Sequence, residues 1–162
     1  MNLKGINMLM SSKKAFTMIE LVFVIVVIGI LAAIAVPKMA ATRDDATITK
    51  AIATIGSVRS AIVTERQKRI LRGDFTNPIT TLHSADGVFD IFNVDADGNR
   101  GRVLEYPVLD CTAQGKSKGC WSVNGTTYTY TMPTSGSVDF NITSSRFNCK
   151  VPTDSNCRLL TP

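Results

Sequence analysis

The chain has 162 residues, 44% of them hydrophobic and 19% charged, with four cysteines, a single histidine and a formal net charge of +5. Set beside a terminal apolar stretch, that length leaves room for one small domain with one modest core and excludes a second. Three of the 18 Lys and Arg residues (Lys4, Lys13 and Lys14) precede Phe16, leaving 15 bases against 13 acids, or +2. Once these are discounted, the basic balance is poor evidence for a nucleic-acid partner.

Residues 1–15 are short, polar and basic, with nothing to pack, and read as a cytoplasmic leader to be removed. From Phe16 to Val36 the only charge is Glu20, in a run of Val, Ile, Leu, Phe and Ala. As a helix this segment measures about 30 Å at ~1.5 Å per residue, the thickness of a bilayer core. Lys13 and Lys14 immediately before it set its orientation, because basic flanks stay in the cytoplasm. A lone carboxylate within such a span is costly and calls for a partner.

The run Lys13-Lys14-Ala15-Phe16-Thr17-Met18-Ile19-Glu20-Leu21, leading into an apolar helix, resembles the class III leader and N-terminal helix of type IV pilins and type II secretion pseudopilins. The resemblance covers Lys13–Pro37. It implies cleavage between Ala15 and Phe16 by a membrane prepilin peptidase, N-methylation of Phe16, and assembly by an inner-membrane platform into a filament. It also implies that Glu20 meets the N-terminal amine of a neighbouring subunit, and that Pro37 stands at the family's helix-kinking proline. Ala15 departs from a commoner Gly, and Met18 from a commoner Leu. Physically, Glu20 lies one helical turn beyond Phe16, so an ammonium there and the carboxylate favour each other's ionised forms. Because burying the pair costs desolvation, its value is register more than raw stability. The rival is an ordinary signal peptide, for which Ala33-Ile34-Ala35 supplies small-x-small. Glu20 interrupts the boundary that reading needs, and Gly29 to Val36 simply continues the helix.

Past Pro37, Ile48, Ile52, Ile55, Val58 or Arg59, and Ile62 recur at spacings of three and four, one apolar stripe of an α-helix. The helix is expected to reach about Leu71, with Gly73 ending it. Arg66-Gln67-Lys68-Arg69 and Arg72 form the densest basic run, read as a solvated face that complements the helix dipole, with lipid, DNA or a partner's carboxylates as the alternative.

Helical periodicity stops at Asp74, and turn signals follow at Asn77-Pro78, Ala85-Asp86-Gly87 and Asp97-Gly98-Asn99. Phe89–Val94 reads equally as a short helix or as apolar packing. Arg102–Leu109 reads as a strand, and Trp121–Val123 and Thr126–Met132 as a hairpin about Asn124-Gly125. In Val138–Thr143, Val138, Phe140 and Ile142 alternate with polar residues as in a half-buried strand. The expected class is α+β: a long N-terminal helix, half transmembrane and half amphipathic, packed on a small antiparallel head. The expected divisions are a leader (1–15), an assembly helix (16–36), and an amphipathic helix with a periplasmic head (37–162).

An even cysteine count in an exported domain favours disulfides over free thiols or metal. Of three possible pairings, the local Cys111–Cys120 and Cys149–Cys157 are expected, each stapling a polar segment with little core. Crossed pairings and a zinc site stay open, although no Cys-x-x-Cys is present. The pilin resemblance adds that such heads are often closed by a C-terminal disulfide loop.

Other motifs point to little chemistry. Gly115-Lys116-Ser117-Lys118-Gly119 matches a nucleophile elbow in letters only and reads as a flexible basic loop, since His83 precedes it. Asp95 and Asp97 are a weak calcium pair, because Arg100 stands where an EF-hand requires Gly and no bidentate Glu follows; a plain turn is the simpler reading. His83, near Asp86, reads as a surface histidine. No cofactor is implied and no catalytic constellation is found. The leading expectation is a non-enzymatic pilin or pseudopilin subunit, single-pass in the inner membrane, whose partners are other subunits. Alternatives are a DNA-uptake pilin, touching phosphate through Arg66–Arg72 or Lys116–Lys118, and a periplasmic binding module released by signal peptidase.

Overall fold

The computed structural model describes residues 16–112 and 115–162. Residues 1–15, expected to form a leader and including Lys13, Lys14 and Ala15, lie outside the described residues. A helix α1 spans Met18–Leu71, with Pro37 inside it, and the chain divides into two compact units at Ala40/Ala41. From Met18 to Met39 the side chains of α1 are exposed, and all but Glu20 and Lys38 are uncharged.

In the second unit α1 supplies one wall of the core. Ala51, Ile55, Val58 and Ile62 are fully buried, with Ile48 and Ile52 packed beside them. The expected stripe is therefore the core face, but Arg59 is no part of it: Val58 points in and Arg59 stays exposed. At its end the Gly73 amide donates to Ile70 O (2.9 Å) and the Asp74 amide to Arg69 O (2.9 Å), with Gly73 at φ +87°. This is a Schellman cap, which needs a residue tolerant of the left-handed region at Gly73.

Four strands follow: β1 (Cys120–Asn124), β2 (Thr127–Thr131), β3 (Ser137–Thr143) and β4 (Arg146–Cys149), in the spatial order β1-β2-β3-β4 and antiparallel throughout. A short helix α2 (Ser155–Leu160) closes the chain, capped by the Asp154 carboxylate. Trp121, Tyr128, Tyr130, Val138, Phe140 and Phe147 face the helix stripe, a mostly aromatic layer with Phe140 and Phe147 stacked at 4.9 Å. The class is α+β, as the order of patterns implied.

Two local readings change. Arg102–Leu109 is not a strand: Arg102 makes one bridge to Ile91 and the chain then turns outward, exposing Glu105 and Tyr106. Pro107 has no amide to give a ladder, which is why the β-formers around it do not pair. In the first hairpin Asn124 is already paired with Thr127, so Gly125 and Thr126 make the loop, and Gly125 takes the positive φ (58°) that a tight hairpin requires. Phe89–Val94 forms no helix; Phe89 and Phe92 are buried as packing residues.

Candidate functional sites: the apolar helix and the head clamp

At the start of α1, Thr17 is the N-cap. The Glu20 amide donates to Thr17 Oγ1 (3.3 Å) and to Thr17 O (3.1 Å), half of a capping box. The pattern Thr-x-x-Glu ahead of an apolar run carried that signal, and it adds Thr17 to the residues singled out from sequence. Glu20 thus sits in the first turn, where the helix dipole favours a carboxylate. From Phe16 to Val36 every side chain is exposed, including Phe23 (68%) and Leu31 (62%). The helix is long and apolar enough to cross a membrane, and among the described residues of its own unit nothing covers it.

The second cluster overturns the reading of the basic run as a solvated face. Continuing the stripe by three and four from Ile62 gives Glu65 and Arg69, both buried, with Arg69 fully inaccessible. Arg69 Nε meets Glu65 Oε1 at 3.2 Å, and its other arm donates to the Asn93 carbonyl. Arg72 Nη1 meets Asp95 Oδ2 at 2.6 Å. Arg66 donates to the carbonyls of Asp74, Phe75 and Asn77. The run therefore clamps the irregular segment 74–95 onto the end of α1, while Gln67 and Lys68 stay solvated and Arg72 is both ion-paired and exposed. Within this run Arg69 is buried, and Arg66 and Arg72 already hold acceptors of their own chain.

The same clamp occupies the calcium candidate. Asp95 Oδ1 accepts from the amides of Asp97 (3.1 Å) and Asn99 (2.7 Å), while Oδ2 holds Arg72. Burial raises the Asp95 pKa, but the Asn99 amide, the Arg72 charge and the Asp97 amide together bring it below its ordinary value. Asp74 behaves alike: burial is outweighed by hydrogen bonds from the Ala96, Asn77 and Thr76 amides and the Asn77 side chain. Asp97 contributes only its backbone amide to this turn. Among the described residues no group of three or more His, Cys, Asp or Glu side chains is arranged to hold a metal.

His83 is half-buried, not a free surface residue. Its Nδ1 is hydrogen-bonded at 2.8 Å to the Tyr128 hydroxyl, which also accepts from the Leu82 amide at 2.7 Å. Burial pushes the Tyr128 phenol up to about 12. The Gly115–Gly119 loop is tied down at both ends: the Lys116 amide donates to Cys111 O, and the Gly119 amide to Thr131 O. A Cβ at Gly119 would lie 2.8 Å from Thr47 Cγ2, so the loop is seated against α1. Cys111 is joined to Cys120 (S–S 2.07 Å) and Cys149 to Cys157 (2.05 Å).

Residues 10–36 match the family model described as the prokaryotic N-terminal methylation motif. The chain is 49% identical over 69 residues to the type IV narrow pilus major component PilA5 of Thermus thermophilus, an alignment covering 40% of this chain and 60% of that protein. It is 33% identical over 101 residues to the type IV major fimbrial protein FimA of Dichelobacter nodosus, covering 60% of this chain and 65% of the relative. A fimbrial protein of Pseudomonas aeruginosa is 39% identical over 64 residues, covering 40% and 39%. The chain spans less than two thirds of the length of each of these relatives. No solved structure matches it significantly. The chain carries the prokaryotic N-terminal methylation motif, and the relatives it is similar to are named as pilus or fimbrial proteins.

Proposed function

We propose that the chain is a structural subunit of a type IV pilus-type filament and not an enzyme. The supporting observation is the motif-bearing helix Phe16–Val36, apolar and exposed along its length. Such a surface needs lipid first and other copies afterwards. In this reading the protein waits as a single-pass inner-membrane subunit with its head in the periplasm, after the prepilin peptidase has cut between Ala15 and Phe16. An inner-membrane platform then packs the helices of successive copies together, with Glu20 setting register against the neighbouring amine and Pro37 accommodating the bend. The pilus components among its relatives favour a pilus over a type II secretion pseudopilin.

Mass spectrometry of the membrane-extracted protein should find Phe16 at the N terminus, carrying one methyl group. Glu20→Val should leave processing and insertion intact and remove most sheared filament, because only the intersubunit partner is lost. An N terminus at Val36 would return the signal-peptide reading. Normal filament yield from the variant would remove the register role.

A further inference from the structure

The two outer edges of the sheet carry opposite charge. At the β4 edge, two adjoining grooves of about 370 and 430 Å³ share Val63, Ser145 and Arg146, and a third of about 610 Å³ joins them through Arg59 and Asn148. Arg59, Arg66, Arg146, Lys150 and Arg158 line this strip, and no carboxylate does. Arg59 and Arg66 spend their hydrogen bonds on backbone carbonyls, which leave their charge uncompensated. The nearby carboxylates Asp139, which accepts from Thr129, and Asp154, which caps α2, keep their charge but line none of the three grooves. Val63, 56% exposed, gives the strip an apolar floor.

At the other edge, the segment leading to Asp110 runs beside β1: Asp110 bridges Trp121, and the Trp121 amide donates to Leu109 O at 2.8 Å. Here a pocket of about 240 Å³ is lined by Asp86, Asp90, Glu105 and Asp110 against the single base Arg102. Beside it Tyr106 is 82% exposed, a large amphipathic ring with nothing packed on most of its surface. Four strand spacings of ~4.8 Å, from the Asp110 segment across β1 to β4, set the two edges about 19 Å apart.

We infer that heads dock head-to-tail, the Asp86–Glu105–Tyr106 face of one copy against the Arg59–Arg146–Lys150 strip of the next. The inference rests on the filament reading and specifies how its heads meet. Opposite charges on opposite edges make a heterologous contact, which propagates along a filament when successive rotations do not close. Complementary charge also rejects the wrong register, in which like faces would meet. An exposed aromatic meeting an apolar floor inside a charged rim is the usual anatomy of an interface anchor.

The test uses the full-length chain in cells that assemble filaments from it. Arg146→Glu with Lys150→Glu, or Asp86→Lys with Glu105→Lys, should each lower sheared filament about tenfold or more. Monomer level and disulfide-dependent gel mobility should stay unchanged, and all four substitutions together should restore filament. A photo-crosslinking amino acid at position 106 should join to a peptide containing Arg146 or Val63 of another copy. Filaments that form normally with either face reversed, or whose cross-links fall elsewhere, would overturn the docking while leaving the filament reading intact. If wild-type filaments bind DNA in a salt-dependent way that Arg146→Glu with Lys150→Glu abolishes without lowering filament yield, the strip serves a polyanion and the docking falls. Failure of the wild-type chain to form any filament would remove the filament reading and the docking together.

Discussion

Arg69 is fully buried because the apolar stripe of α1 runs out of hydrophobic residues one turn before it runs out of protein to pack against. Glu65 then supplies the counter-charge and the Asn93 carbonyl a second acceptor. Removing one member of such a pair strands the other in the interior, so Arg69→Ala should cost about 3–5 kcal/mol, read from denaturation of the detergent-solubilised chain. Replacing both together, Arg69→Met with Glu65→Leu, should recover most of that loss; equal destabilisation by the pair and by the single change would show that burial of charge is not the cause. Asp95 and Asp74 make a second prediction. Their pKa values are depressed below the ordinary 3.8, so the folded state prefers the ionised form. The stability they contribute is complete above that value and is lost as pH falls through the lower folded pKa. The melting temperature should fall below about pH 4, and Asp95→Asn with Asp74→Asn should flatten that limb. An unchanged acid limb in the double variant would assign it to other carboxylates.

Among the elements, those held by backbone ladders and apolar periodicity could be read in advance, and those held by side chain–backbone bonds could not. Ile55, Val58 and Ile62 announced the core face of α1 through spacing alone. Glu65 and Arg69 continue the same spacing, but charged residues are assigned to the surface by any pattern that asks only for hydrophobicity. Segment 74–95 follows no period, because it is fixed by Arg66 on three carbonyls and by Asp74 on two amides. Arg102–Leu109 misled through composition, its β-formers spoiled by Pro107. Thr17 escaped notice although the spacing Thr-x-x-Glu marks a helix start. At the C-terminal end, α2 has only six residues, two of them buried, Cys157 and Leu160. With so little core of its own it depends on the Cys149–Cys157 bridge to β4, and a disulfide of this kind contributes ~2–4 kcal/mol. Cys149→Ser should therefore lower accumulation of the head without affecting insertion of Phe16–Val36. Wild-type levels under oxidising conditions would show that α2 docks without the staple.

For the molecule as a whole, the architecture of helix followed by antiparallel meander was legible because the change from a period near 3.6 to a period of 2 falls once along the chain. The charge division between the sheet edges was not legible, since its members come from residues 59 to 158 and meet only after folding. The long seat of α1 in the head has a mechanical consequence. From Ala51 to Arg69 the helix advances about 27 Å at ~1.5 Å per residue, gripped throughout by core side chains and finally by the arginine clamp. A tug directed along the α1 axis loads all of these contacts side by side, as shear, instead of opening them one after another, as a zipper would. Forced separation then follows the rate of concerted unfolding and not the fraying of a single turn. The clamp stands at the far end of that grip, where a slipping shaft would have to tear the buried Arg69 from Glu65 at the same moment as the apolar contacts give way.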